Sequence, residues 1–156
     1  MAGDIESIRS QMYLALVLMF LKEPNALRGG KDLGLDLSDC DTNSLKASIL
    51  RVDLDPVTRG LIRSAIREFY DNYGYIAMSD PDSLVTMLAF MAQLSKRRDR
   101  EALLAQIRFL NVHLIPLIKK AIELGTCPQL KEVLRLIEED VDILKSMLDN
   151  TSTDTD

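Results

Sequence analysis

Residues 80–94 read DPDSLVTMLAFMAQL, and this stretch decides the fold. Between Leu84 and Leu94 it carries almost no polar side chain, so a helix here must be covered on most of its sides. A charged break follows at 95–100, after which residues 101–117 continue as EALLAQIRFLNVHLIPL. The apolar residues of this second stretch recur at helical spacing, which predicts a helix with one buried face. Because the break is short, we expect two antiparallel neighbours with further helices packed around them.

The composition is that of a globular protein with an aliphatic core. The chain has 156 residues, 47% of them hydrophobic and 28% charged, which favours one folded domain over a disordered chain. Only 5% are aromatic and none is Trp, so Leu, Ile, Val, Met and Ala must fill the core. The net charge is −5 and no basic stripe stands out, which argues against a nucleic-acid partner.

Start and stop signals outside the central stretch predict further helices. A first helix is predicted over Asp4–Lys22, ending before Pro24 because the residue preceding a proline is disfavoured in helices. Gly and Asp residues predict a loop over 25–42, and a short helix is expected over 43–50. Asp55-Pro56 is a helix start, and Asp80-Pro81 repeats it.

The carboxyl-terminal half follows the same logic. Pro116 must kink the helix or make it restart near 113–116, because proline lacks an amide hydrogen. The final helix is predicted to begin near Pro128 and to expose its acidic run 138–142. No segment alternates with period two. The sequence therefore predicts an all-α fold, a single compact bundle of five to six helices over 1–149, followed by a disordered polar tail at 150–156.

Location and cysteine chemistry are predicted from simple counts. The apolar run 12–21 is shorter than the roughly 20 residues that span a bilayer, so no membrane insertion is expected. Asp4 and Glu6 lie where a signal peptide would be positive. A cytoplasmic location is therefore predicted, with Cys40 and Cys127 as two free thiols.

The sequence offers little for catalysis. A serine or cysteine nucleophile needs a histidine base, and His113 is the one histidine in the chain. It is interpreted as a structural residue that hydrogen-bonds a carbonyl freed by Pro116. The Gly29-Gly30 pair lacks the spacing of a phosphate loop, and the aspartates of 36–41 lack the glycine and glutamate of a calcium loop. We expect no enzyme activity, no cofactor and no metal.

A candidate binding site lies before the central helix. Three tyrosines precede a short acidic turn, and together they suit the capture of a basic, partly apolar peptide. Two other interpretations stay open: the tyrosines close the end of the core, and the aspartates only cap a helix. The predicted partner-binding residues are Tyr70, Tyr73, Tyr75, Asp80, Pro81, Asp82 and Ser83.

Three stretches resemble the TorD/DmsD/NarJ family, cytoplasmic chaperones of molybdenum-containing oxidoreductases. Residues 13–24 are similar to the family's first helix. Residues 66–74, followed by 81–84 and 88–91, resemble its central motif, which includes Pro-Asp-His-Leu. Residues 109–117 are similar to its Phe-Leu-x-x-His-Leu-x-Pro-Trp. On these stretches Phe90, Phe109, His113 and Pro116 are assigned as structural motif residues.

The sequence also departs from the family pattern. Ser83 replaces the motif histidine, Met87 a helix glutamate and Leu117 the tryptophan. The region 25–56 shows no counterpart of the family's aromatic-rich segment.

The resemblance implies a chaperone, a monomer or homodimer, that binds a molybdoenzyme subunit at its amino-terminal or twin-arginine leader region during cofactor insertion. The alternative is an all-helical interaction or scaffolding domain with an unrelated partner.

Overall fold

The computed structural model describes residues 4–77 and 79–154, and this part of the chain contains helices and no strand. The predicted all-α class is confirmed. One isolated antiparallel bridge pairs Lys46 with Ser83. The helices are α1 (Asp4–Phe20), α2 (Pro24–Asp32), a 3-10 turn (Thr42–Ser44), α3 (Ala47–Leu50), α4 (Pro56–Asn72), α5 (Leu84–Leu94), α6 (Arg100–Phe109), a π-turn (Leu110–Leu114), α7 (Ile115–Glu123) and α8 (Leu130–Asp154).

Seven of the described α-helices have nine or more residues, against the five to six predicted. The additional one is α2, which occupies the first part of the predicted 25–42 loop. Glu23 begins it, since its carboxylate accepts hydrogen bonds from the amides of Asn25 and Ala26 at 3.1 and 2.7 Å. Gly30 allows α2 to pack closely, because a Cβ there would lie 2.6 Å from the Leu35 carbonyl oxygen. The two glycines that predict a loop are therefore accommodated inside a helix.

The predicted start of the central helix is wrong by three residues. Ser83, not Asp80, is the N-cap of α5, and its hydroxyl oxygen accepts a hydrogen bond from the Thr86 amide at 3.1 Å. The same signal is correct at α4, where the Asp55 carboxylate accepts from the Thr58 amide at 2.9 Å. Asp55-Pro56 thus begins α4, whereas Asp80-Pro81 forms a turn ahead of α5.

Pro116 is accommodated by the π-turn rather than by a break in the chain's direction. The backbone hydrogen bonds of the turn at 110–114 span one more residue than those of an α-helix, and proline then lies at the start of α7. Residues 100–123 form one continuous helical stretch that is apolar enough to cross a membrane, but 61% of its most apolar window is buried inside the molecule. That burial is typical of a core helix in a soluble protein.

The core lies around α5, as the sequence predicts. Met87, Leu88, Phe90 and Met91 are at most 1% exposed. The Phe90 ring packs against Phe109 of α6 at 4.9 Å between centroids, and Gln106 of α6 donates to the Leu94 carbonyl at 3.2 Å. These pairings place α5 and α6 as antiparallel neighbours.

Cys40 and Cys127 form a disulfide, so the prediction of two free thiols is wrong. Their Cα atoms are 5.4 Å apart although 87 residues separate them in the chain. Both side chains are 2% exposed. The bond joins the segment before the 3-10 turn to the connection between α7 and α8. A count of cysteines could not reveal this proximity, because it depends on the packing of distant segments.

The structure also differs from the predicted tail. Helix α8 continues to Asp154, so residues 150–154 are helical, and the Thr151 hydroxyl donates to the Leu148 carbonyl at 2.7 Å. Residues 155 and 156, which complete the predicted tail, lie outside the described residues.

Candidate functional site

The acidic turn predicted as a peptide-binding wall is largely satisfied within the protein. Asp82 is 1% exposed. Its carboxylate accepts a hydrogen bond from the Ser48 amide at 2.8 Å, at the start of α3, and lies 3.4 Å from Arg63 Nε. The Asp82 carbonyl accepts from the Ala47 amide at 3.0 Å. Asp82 therefore caps the first amides of α3 from a neighbouring segment, and a ligand arginine has no direct access to its buried carboxylate.

Asp80 is more open but has two cationic neighbours. Its carboxylate lies 2.5 Å from Lys46 Nζ and 3.4 Å from an Arg63 guanidinium nitrogen. The hydrogen bond from Lys46 holds the pKa of the Asp80 carboxyl below its ordinary value. An incoming cation would have to displace these pairs.

The three predicted tyrosines have three different surroundings. Tyr70 is 1% exposed, and its hydroxyl donates to the Pro81 carbonyl at 2.5 Å. Burial raises the pKa of Tyr70. Tyr75 is half-buried and packs edge-on against Tyr70 at 5.1 Å. Tyr73 lies elsewhere, under the Arg97 guanidinium at 5.2 Å.

The predicted residues thus separate into two places. Tyr70, Tyr75 and Pro81 border a small hollow of about 290 Å³ together with the exposed Ile76. Tyr73 borders a different and larger cleft. Ser83 is occupied as the cap of α5 and lines neither.

The larger cleft, of about 680 Å³, runs between α4 and α6. The two helices are antiparallel, since Phe69 of α4 lies beside Phe109 while Tyr73 lies near the α6 start. We name it the α4–α6 cleft. Its lining residues are Ala65, Glu68, Phe69, Asn72, Tyr73, Glu101, Leu104, Ala105, Arg108 and His113.

The floor of the α4–α6 cleft is apolar. The Phe69 ring packs edge-on against Phe109 at 5.2 Å and His113 at 5.6 Å, so its orientation is fixed. Leu104 is 40% exposed and offers further apolar surface. Phe109 itself is fully buried beneath this floor. Such a surface suits an apolar side chain of a binding partner.

The rim of the α4–α6 cleft is charged and exposed to solvent. Glu68, Glu101 and Arg108 are exposed there. Within residues 4–77 and 79–154 neither glutamate takes part in an ion pair. Two carboxylates against one guanidinium give the lining a net negative charge, which favours a basic partner.

The sequence carries a local signal for the α4 side of this cleft. Glu68, Phe69, Asn72 and Tyr73 recur at helical spacing on the side of α4 next to its buried stripe. An aromatic and polar band of this kind indicates a surface that is neither core nor simple solvent face. The partner helix, α6, could not be identified from the sequence alone.

His113 lies in the floor without the hydrogen bond predicted for it. It is 5% exposed, and no hydrogen bond joins it to a backbone carbonyl in the described part of the chain. Nδ1 is buried and has no hydrogen-bond partner among the described residues. Burial, with a smaller contribution from the charge of Arg51, lowers the pKa of His113 to about 4. The imidazole is therefore neutral at pH 7.

This burial predicts a loss of stability in mild acid. The folded-state pKa of about 4 lies below the ordinary value of 6.5, so the unfolded chain binds the proton more tightly. The contribution of the neutral His113 to the unfolding free energy is complete above pH 6.5 and is lost as the pH falls towards 4. We expect about 2 kcal/mol of unfolding free energy to disappear between pH 7 and pH 5.

Urea denaturation at several pH values measures this effect, with His113→Gln as the control that cannot titrate. The carboxyl groups mostly titrate below pH 5, so the window from pH 5 to 6.5 isolates the histidine. Equal slopes of stability against pH in the two proteins would contradict the assignment.

The α4–α6 cleft combines an aromatic floor with a charged rim. Among residues 4–77 and 79–154, no group of three or more His, Cys, Asp or Glu side chains is placed to hold a metal ion. When the chain is compared with protein families, no family model matches it.

Proposed function

We propose that this protein is a chaperone that binds a subunit of a molybdenum-containing oxidoreductase, at its amino-terminal or twin-arginine leader region, during cofactor insertion. The observation that carries the proposal is the α4–α6 cleft, whose apolar floor is bordered by two glutamates that form no ion pair with another residue of 4–77 or 79–154. The resemblance of residues 13–24, 66–74, 81–84, 88–91 and 109–117 to the TorD/DmsD/NarJ family supplies the class of client.

The position of the site is revised within this proposal. The sequence predicts that Asp82 pairs with a basic client residue, but Asp82 is buried and bonded to Ser48 and Arg63. Glu68 and Glu101 take over that role. An apolar client side chain packs on Phe69 and Leu104, while neighbouring lysine or arginine side chains meet the two carboxylates.

The proposal includes no chemical step. The protein acts in the cytoplasm as a binding protein, without a cofactor, a metal or nucleic acid. Binding covers an exposed client segment until assembly is complete, and release then follows from competition with the client's own folding.

A second candidate rests on a different surface. Val57 and Leu61 of α4 are 74% and 62% exposed and lie one helical turn apart. Exposed apolar side chains at this spacing favour contact with another helix, as in a scaffolding domain or a homodimer. The identity of the bound partner separates the two candidates.

The test immobilises the wild-type protein and its variants and exposes them to extracts of anaerobically grown source cells. Mass spectrometry then identifies the partners that each protein retains. The wild type should retain a molybdoenzyme subunit. Glu68→Gln/Glu101→Gln should bind the client's amino-terminal peptide at least tenfold more weakly in calorimetry, as expected from about 1.4 kcal/mol or more of lost charge-assisted bonding.

A matched control removes the same charge elsewhere. Glu138 and Asp142 are exposed on α8 and do not line the cleft. Glu138→Gln/Asp142→Asn should bind like the wild type, and all three proteins should melt together. Retention of an unrelated partner, or equal affinities in the three proteins, would overturn the proposal.

A further inference from the structure

The Cys40–Cys127 disulfide lies in a position to control a segment that contains little regular structure. Residues 33–46 connect α2 to α3 and contain one turn of 3-10 helix as their regular structure. Leu35, Leu37 and Cys40 are buried. Lys22 Nζ donates to the carbonyls of Leu37 and Cys40 at 2.5 and 2.7 Å. The disulfide is the one covalent restraint on this segment.

The downstream end of the 33–46 segment touches the acidic turn. The Leu84 amide donates to the Leu45 carbonyl at 2.9 Å, and Lys46 pairs with both Ser83 and Asp80. Immediately beyond, the amides of Ala47 and Ser48 donate to Asp82. The position of the segment and that of the turn at 80–83 therefore depend on each other.

The turn at 80–83 also contacts α4, which forms one wall of the α4–α6 cleft. The Tyr70 hydroxyl donates to the Pro81 carbonyl at 2.5 Å, and Tyr70 lies on α4 next to Phe69. A chain of direct contacts thus leads from the disulfide to α4.

The disulfide is buried, so a reductant reaches it only when the chain opens locally near one of the two cysteines, Cys127 for example. That residue lies in the short connection between α7 and α8, where its neighbours Thr126 and Pro128 are exposed. Reduction of the folded protein therefore requires a local opening of this connection that uncovers the sulfur atoms while the core helices stay packed.

We propose that the Cys40–Cys127 disulfide is a redox-controlled clamp that holds the 33–46 segment against the turn at 80–83. Reduction by a dithiol breaks the S–S bond and adds two electrons and two protons to give two thiols, while the reductant becomes a disulfide. The freed segment then exchanges its hydrogen bonds to the turn with water, and the bundle of α1, α5, α6 and α8 stays folded.

The first experiment counts thiols. In the unfolded, non-reduced protein, a thiol reagent should detect no free cysteine. After treatment of the folded protein with dithiothreitol it should detect two. Two thiols before reduction, or none after it, would each overturn the proposal.

The second experiment measures amide hydrogen exchange in the oxidised and the reduced protein. We expect exchange of the Ala47, Ser48 and Leu84 amides to accelerate at least tenfold on reduction, with α6 amides changed less than twofold. Cys40→Ser/Cys127→Ser should exchange like the reduced wild type and should not respond to dithiothreitol. Unchanged exchange at the three amides would overturn the proposal. Equal acceleration in α6 would also overturn it, because the disulfide would then stabilise the whole fold rather than one segment.

Discussion

Replacing Asp140 by alanine should destabilise the protein by about 3–5 kcal/mol, because the change leaves Arg9 as a buried charge without its partner. Both side chains are 2% exposed. Arg9 Nε lies 2.6 Å and one Arg9 terminal nitrogen 2.9 Å from the two Asp140 oxygens, which is bidentate geometry. The pair joins α1 to α8 across 131 residues of sequence.

Two further side chains depend on this ion pair. The Tyr13 hydroxyl donates to Asp140 at 2.6 Å, and Arg9 donates to the Gln106 side-chain oxygen at 2.7 Å. Burial, reinforced by the negative charge of Asp140, raises the pKa of Tyr13 well above its ordinary value. Gln106 also donates to the Leu94 carbonyl at the end of α5. Loss of Asp140 therefore disturbs the contacts among α1, α5, α6 and α8 together.

Urea denaturation of Asp140→Ala measures the effect, with Asp142→Ala as the control because Asp142 is exposed on the same helix. The control should change the unfolding free energy by less than about 0.5 kcal/mol. Arg9→Met/Asp140→Leu should recover part of the loss, since no unpaired charge stays buried. A cost for Asp140→Ala below about 1 kcal/mol would contradict this account.

The sequence predicts the helices far better than it predicts these polar contacts. Helical spacing identifies α1, α4, α5 and α8, and the Asp55-Pro56 cap also gives the start of α4, because those signals lie within a few residues of each other. The same spacing places Asp140 on an exposed acidic face, whereas the structure buries it against Arg9. Periodicity cannot reveal that contact, since the partner lies on another helix far away in the chain.

The candidate site also shows that local sequence signals do not reveal contacts between distant segments. The neighbouring Pro81 and tyrosines predict a binding role for Asp82, but its surroundings are set by Ser48 of α3 and Arg63 of α4. The α4–α6 cleft exists only because α6 lies antiparallel to α4. Adjacent residues predict that this turn is acidic. The groups that its carboxylates bind can be identified only from the packed structure.

Phe90→Ala should also cost about 3–5 kcal/mol, the range for removal of a buried aromatic ring. Phe90 is 1% exposed at the centre of α5. Its ring centroid lies 4.7 Å from that of Tyr70, 5.5 Å from that of Tyr75 and 4.9 Å from that of Phe109. These rings come from three separate segments, so the cavity left by alanine cannot close by the movement of a single side chain.

A second phenylalanine of the same cluster provides the comparison. Phe69 contacts Phe109 at 5.2 Å but is half-buried at the α4–α6 cleft, so Phe69→Ala should lose less burial and leave a gap open to water. We expect it to cost roughly half as much as Phe90→Ala. Midpoints and slopes of urea denaturation give both values. A fully buried ring should cost more unfolding free energy on removal than a half-buried one. If Phe90→Ala costs under about 1 kcal/mol, or less than Phe69→Ala, then α5 is not the helix around which the others pack.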